Sequence, residues 1–260
     1  MTNLNEVLDF LDCIAPLRTA EDWDNVGLLL GDPKDKVGKV MTCLTITDSV
    51  LQEAVGMGID LLVTHHPLPF KPLQRITSST TTGRLLLDAA RNRIAIYSPH
   101  TAWDNADEGI NAQLANMVEL TQVQPMVRRM VAGTPIGSGR KGAFTEPASM
   151  EEIRERLSRH LPEMQWRCTH ESNHSIRSMG IMCGGGGSLI AAAKSEGCEA
   201  LLTGEATYHQ CLEAEASGIA LLLIGHFASE AFAMKKLATM IAASFPDLLV
   251  QASAMERSTF

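Results

Sequence analysis

VMTCLTITDSVLQEAVGMGIDLLVTHHP, residues 40–67, changes its period twice. VMTCLTIT (40–47) is apolar enough for a strand buried on both faces. DSVLQEAVGMG (48–58) reads as a helix capped by Asp48 and ended by Gly58, and IDLLVT (59–64) as a second buried strand. Strand, helix and strand in that order form a βαβ unit, which requires the two strands to be parallel. The same rhythm continues into a helix around Arg84 to Asn92, the strand IAIY (94–97) and a helix from about Glu108 to Val118. It returns as IRSMGIMC (176–183), EALLTG (199–204) with a helix near Tyr208 to Ser217, and IALLLIG (219–225) with a helix from about Ala228 to Ser244.

On the N-terminal side, Leu4, Val7, Leu8 and Leu11 recur at helical spacing, with Asn3 and Glu6 at capping-box positions; this helix is expected to cover a sheet edge. Val26 to Leu30 suits either a short strand or a packed loop, and LLVQAS near the C-terminus is expected to close the sheet. Between about 121 and 175 the composition shifts toward Arg, Gly and Pro, with GTPIGSGRKGAF (133–144) as strand and turn. SMEEIRERLSRH (149–160) is a helix opened by Ser149 and Glu152. The expected class is α/β: mostly parallel βαβ-built sheets with flanking helices, the whole of 1–260 forming one unit of two interlocked subdomains. Residues 1–124 with 219–260 would hold the metal-site strands, and 125–218 the second α/β half.

The 260 residues, 45% hydrophobic and 20% charged, are enough for one large or two modest domains with a sizeable core. A net charge of −8 without a block of Lys or Arg argues against bulk nucleic-acid binding. The longest apolar run, Ile219 to Ile224, is far short of the roughly 20 residues that span a bilayer, so no membrane association is expected. The first residues carry Glu6, Asp9 and Asp12 and no early Lys or Arg, the wrong charge for an export signal. Six cysteines without a CxxC pair are the usage of a reducing compartment, and the expected location is the cytoplasm.

The chemistry-bearing residues cluster where apolar runs end, the edge at which open α/β sheets place their sites. THHP (64–67) puts His65 and His66 after one strand. Adjacent strand side chains point to opposite faces, so the pair serves one site only if the chain turns out of the strand there, or if the site holds two centres. GHFASE (225–230) puts His226 and Glu230 at i, i+4; taken alone this also reads as a cap partner with a solvated first-turn charge. YSPHTAWDNADEG (97–109) reads as a loop in which Asp107 is a natural N-cap while His100 and Asp104 have no capping task. Imidazole and carboxylate from three strand ends are ligands that first-row divalent ions accept, and bridging carboxylates suit a dinuclear hydrolytic centre.

TGEATYHQ (203–210) adds Glu205 and His209 at i, i+4, which suit proton transfer near a metal-bound water; a favourable acidic residue at a helix N-terminus explains Glu205 equally well. CGGGGS (183–188) joins strand to helix. It lacks GK[ST] and the GxGxxG register, so a tight packing turn competes with anion binding. There is no GxSxG elbow, and no cysteine stands beside a histidine.

In chain order, WDNVGLLLG (23–31), THHP, HTAWD (100–104), GRKGAF (139–144), CGGGGS, TGEATYHQ and GHFASE resemble the Nif-three-like dinuclear metal-centre family, whose members are often labelled GTP cyclohydrolase I type 2 homologues. The resemblance covers nearly the whole chain in the short form, without a large central insertion. It implies His65, His66, Asp104, His226 and Glu230 as metal ligands, with His100 and Glu205 lining the same pocket. Where the family often has Asn-Leu, this chain has Ala102-Trp103, and Trp103 offers a ring to stack on a base. A ring-shaped homohexamer is likewise implied by the resemblance.

The expected activity is that of a metal-dependent hydrolase with two divalent ions per chain, iron, zinc or manganese. It would act on a small molecule such as a nucleotide or cyclic amide, with His100, Glu205 and His209 as catalytic groups. The competing expectation is a non-catalytic metal-binding ring that stores, delivers or senses metal, or serves as a protein-interaction adaptor. A third expectation, a nucleotide-binding regulator using the glycine run, would bind its ligand without metal.

Overall fold

A computed structural model describes residues 2–131, 134–170 and 175–259; of the GTPIGSGRKGAF reading, Gly133 lies outside the described residues. In chain order the elements are β1 (Thr2–Asn3), α1 (Leu4–Ile14), β2 (Gly27–Leu30), β3 (Lys36–Val37), β4 (Lys39–Cys43), α2 (Asp48–Met57), β5 (Leu61–Thr64), α3 (Thr81–Arg91), β6 (Ala95–Ser98), α4 (His100–Asn105) and α5 (Ile110–Met117). There follow β7 (Thr121–Val131), β8 (Thr134–Ser149), α6 (Met150–Ser158), β9 (Arg167–Cys168), β10 (Ser175–Met182), α7 (Ile190–Ser195), β11 (Ala200–Thr203), α8 (Tyr208–Ser217), β12 (Ala220–Leu223), α9 (His226–Ser244) and β13 (Leu249–Ala252). They fall into two compact units, residues 1–103 with 233–259 and residues 104–232.

The first unit contains a five-stranded sheet in the order β13-β4-β5-β6-β2. β13, β4, β5 and β6 run parallel, and β2 joins the edge antiparallel to β6. The uninterrupted apolar runs of β4 and β5 follow from burial on both faces. Met41, Leu62 and Ile96 pack with Val50, Leu51 and Ala54 of α2 and Leu85, Leu86 and Ala89 of α3. Val40, Leu61, Val63 and Tyr97 face the other way, onto Leu4, Val7 and Leu11 of α1 and Leu237 and Ile241 of α9. The N-terminal helix therefore covers a sheet face rather than an edge, because its apolar stripe meets residues of three central strands. β13 extends the open sheet beside β4 and does not close it.

Two boundary readings need correction. The cap of α2 is Thr47, whose side chain accepts from Val50 N, and not Asp48; α2 does end at Gly58, held at φ 64. Residues 100–105, read as loop, form the helical turn α4, and the N-cap of α5 is Gly109 while Asp107 is exposed.

The second unit holds a six-stranded sheet, β7-β8-β10-β11-β12-β9, with β10, β11 and β12 parallel. Ile190 and Ala193 of α7 and Ala214 of α8 pack on Leu201, Ile219 and Leu221. The sequence reading grouped β12 with the first part of the chain; here it pairs with β11, its predecessor in the βα rhythm. The long hairpin β7-β8 accounts for the compositional shift, and Ser149 and Glu152 form the expected capping box of α6. Among the described residues no helix is long and apolar enough to cross a membrane.

Candidate metal-binding site

In the first unit, β5 delivers the histidine pair. The backbone N–H groups of His65 and His66 still donate to Cys43 O (2.9 Å) and Leu44 O (2.8 Å), but the chain bends away from strand geometry after Thr64. The two rings consequently lie 5.1 Å apart instead of on opposite faces of the sheet. His100, at the start of α4, joins them: its ring is 5.0 Å from that of His65 and 5.8 Å from that of His66. One ligand atom from each of His65, His66 and His100 lies within 4.8 Å of the others, close enough for three nitrogens to share an ion. His65 is fully buried, with its carbonyl accepting from Ser98 Oγ at 2.6 Å.

The outer nitrogens of this cluster have oxygen partners. His66 Nδ1 is hydrogen-bonded to Thr45 Oγ1 at 2.7 Å and His100 Nδ1 to Asp24 Oδ1 at 2.7 Å. Thr45 N in turn donates to Glu256 Oε1 at 2.9 Å. Burial works to raise the Asp24 pKa, but the hydrogen bonds from His100 and Thr101 outweigh it and hold the carboxyl below its ordinary value. Trp23 and Phe70, 63% and 46% exposed, stand edge-on to His100 at 6.2 and 6.1 Å between ring centroids. They supply the exposed aromatic surface sought in Trp103, which is itself 0% exposed and cannot stack on a base.

In the second unit, α9 begins immediately after β12 and carries His226 and Glu230 one turn apart, with His226 Nε2 3.1 Å from Glu230 Oε2. The hydrogen bond to Glu230, against the opposing effect of burial, raises the His226 pKa to about 9. Glu205 is exposed and meets His226 Nδ1 at 3.0 Å through Oε1. Asp104 is buried, and its Oδ1 accepts from the Cys183 thiol at 3.1 Å. Burial, reinforced by the Asp104 and Glu230 carboxylates, pushes the Cys183 pKa well up, so the thiol keeps its proton and stays a donor. Asn111, fully buried, ties the same corner together: Nδ2 donates to Asp104 O at 3.0 Å and Oδ1 accepts from Cys183 N at 2.8 Å. Arg140 of the GRKGAF segment donates to the carbonyls of Asn105 (2.6 Å) and Ala106 (2.8 Å), holding the turn that follows Asp104.

The glycine run serves close approach. A Cβ on Gly184, which sits at φ 59, would lie 2.3 Å from Glu230 Oε1, and one on Gly187 would lie 2.4 Å from Gln210 Oε1. Two of the amides that an anion would need are already committed: Gly184 N donates to Ser229 Oγ (2.9 Å) and Gly186 N to Thr203 Oγ1 (2.8 Å). His209 is exposed in the first turn of α8, its ring 5.7 Å from that of Tyr208.

The sequence reading missed Asp24, Thr45, Asn111, Arg140 and Ser229, and did not give Cys183 its donor role. Each acts through a hydrogen bond to a residue remote in sequence, a relation that local spacing does not carry. The DUF34/NIF3 (NGG1p interacting factor 3) family model matches residues 2–259. The chain belongs to the DUF34/NIF3 family. Among its DUF34/NIF3 relatives, the GTP cyclohydrolase 1 type 2 homolog of Streptomyces coelicolor is 34% identical over 241 residues, covering 88% of this chain and 82% of that protein. The NIF3-like protein 1 of Drosophila melanogaster is 33% identical over 229 residues, covering 87% and 77%. The crystal structure of a Bacillus cereus protein related to NIF3 superposes with a TM-score of 0.89 at 19% identity, over 100% of this chain and 99% of that one, a likeness of fold.

Proposed function

We propose that this DUF34/NIF3 protein binds two divalent ions per chain, iron, zinc or manganese, through His65, His66, Asp104, His226 and Glu230, and works as a hydrolase. The observation that carries the metal reading is the treatment of three histidines. His66, His100 and His226 each have Nδ1 engaged by a side-chain oxygen, from Thr45, Asp24 and Glu205 respectively. Outer partners of this kind hold an imidazole ring in one orientation, as they do for metal-ligating histidines. The donor set of imidazole nitrogens with carboxylates fits first-row divalent ions. Bound ions of this kind polarise a substrate bond and lower the pKa of water toward neutrality.

The chain's own residues have definable parts in such a reaction. Glu205 orients His226, Thr45 orients His66, and the buried Cys183 thiol restrains Asp104. Trp23 and Phe70 offer a face for a planar ring, which favours a nucleotide or cyclic amide as substrate. The name of the Streptomyces coelicolor relative, GTP cyclohydrolase 1 type 2 homolog, agrees with that class. We propose a cytoplasmic location from the cysteine usage, and a ring-shaped hexamer from the family resemblance.

One observation favours a non-catalytic metal carrier: Glu205 is engaged with His226 and His209 is exposed beside Tyr208. Turnover separates the two. Metal-loaded protein incubated with GTP and with cyclic amides is expected to release ring-opened product, and His209→Ala to lose turnover while retaining metal. Full metal loading with no product from either substrate class would overturn the hydrolase reading in favour of the carrier.

A further inference from the structure

In the first unit the helices attached to the neighbouring parallel strands β4 and β13 lie on opposite faces of the sheet. α2 packs against Met41 and Leu62, and the later part of α9 against Val40 and Leu61. Open sheets take their ligands in the crevice outside the carboxyl ends of strands whose connections diverge in this way. Here that crevice holds a side chain of the protein itself. The first two amides after β4, Leu44 N and Thr45 N, both donate to Glu256 Oε1, at 2.5 and 2.9 Å. Two successive N–H groups converging on one oxygen make an anion seat. The segment that brings Glu256 there is lightly held. After the ladder bond from Ser253 N to Thr42 O (2.8 Å), residues 253–259 form no helix or strand, and Met255 is 50% exposed. Ser253 Oγ (2.5 Å) and Ala254 N (3.1 Å) both donate to one carboxylate, Glu53 of α2. Burial outweighs the two amide bonds and raises the Glu256 pKa, so the ionised carboxylate is less well served in the crevice than in water.

We propose that Leu44 N and Thr45 N form an oxyanion subsite for the phosphate or carboxylate group of a ligand, and that Glu256 fills it as an internal stand-in until the 253–259 segment lifts. A ligand anion seated there with water on its outer side keeps both amide bonds without the burial that Glu256 undergoes. Thr45 ties the subsite to the histidine pair, since its Oγ1 meets His66 Nδ1 at 2.7 Å while its N–H faces the anion. The part the subsite plays toward a substrate rests on the metal reading above; its capacity to hold an anion does not. A Glu256 that merely caps two amides would leave them to water when removed, whereas an anion subsite refills.

The test is calorimetric titration of inorganic phosphate, and of acetate in parallel, into metal-free native protein, Glu256→Ala and Glu53→Gln, each checked by thermal unfolding. A closed segment lowers the apparent affinity of a ligand by the fraction of protein that is open. With the segment open about a tenth of the time or less, Glu256→Ala is expected to bind the anion at least about 10-fold more tightly than the native chain. Glu53→Gln, which loosens the segment and leaves the seat intact, is expected to shift in the same direction by a smaller factor. Whichever anion binds more tightly gives the ligand class. Hydrogen exchange read by mass spectrometry locates the binding: the peptide containing Leu44 and Thr45 is expected to exchange faster in both variants than in the native chain, and to slow again when the anion is added. Equal affinity in all three proteins, no binding in any, or binding that leaves this peptide's exchange unchanged overturns the proposal. If Glu256→Ala fails to fold, Glu53→Gln decides against the native chain by the same two readings. Both readings are taken without metal, so a native chain found to hold no metal would remove the metal reading and leave the anion subsite to be decided on its own.

Discussion

Gly184 and Gly185 are neighbours in one run and face different constraints. Gly184 combines φ 59 with a carboxylate oxygen where its Cβ would be, whereas Gly185 at φ −90 has nothing nearer its Cβ position than Glu205 Oε1 at 3.9 Å. Gly184→Ala is therefore expected to destabilise by about 1–3 kcal/mol and to displace Glu230, and Gly185→Ala to stay within ~0.5 kcal/mol of the native chain, as read by urea unfolding. Equal effects would mean that the close approach to Glu230 is not what the run serves. Thr45 makes a parallel case: Thr45→Val removes the oxygen at His66 Nδ1 and is expected to weaken metal binding about 10–100-fold with the fold intact, measured by Co2+ titration. At this scale the sequence was partly legible. His65, His66, His226 and Glu230 stand out because strand ends in an α/β chain are marked by apolar runs, and their residue types speak for themselves. Asp24 and Thr45 were silent because what they do depends on His100 and His66, 76 and 21 residues further on.

Helix boundaries show which local signals were sufficient. The Ser149 and Glu152 box was read from spacing alone, and both halves of it form, with Ser149 N donating to Glu152 at 2.7 Å and Glu152 N to Ser149 Oγ at 3.2 Å. At α2 two residues compete for the cap, and spacing does not say which leaves the helix. Thr47 takes the role, while Asp48, inside the first turn and exposed, pairs with Arg84. Thr47→Ala is expected to cost about 1 kcal/mol and Asp48→Ala distinctly less, by thermal or denaturant unfolding; the reverse order would restore Asp48 as the cap. α4 was illegible because it is six residues long and starts from a positive φ, too short for periodicity to register.

For the molecule as a whole, the class was readable from repeated βα units, and each of the two larger sheets does contain a run of parallel strands. The strand order was less accessible, since β12 follows its neighbour β11 into the second unit while the later part of α9 packs its Leu237 and Ile241 into the first. Pairing is set by registers that apolar runs of similar composition do not distinguish. Burial on both faces makes the first unit sensitive to cavities: Leu62→Ala, at a fully buried site among α2 and α3, is expected to cost about 2–5 kcal/mol in denaturant unfolding, and a loss under 1 kcal/mol would argue against that two-sided core.

The central claim is that this DUF34/NIF3 chain is a metal protein whose ligands include the buried His65 and Glu230. Elemental analysis of protein purified without a metal-affinity tag tests it most directly, comparing the native chain with His65→Ala and Glu230→Ala. About two ions per native chain, with metal lost from both variants, is the predicted result. A native chain without metal, or two stable variants that keep the full complement, would contradict it.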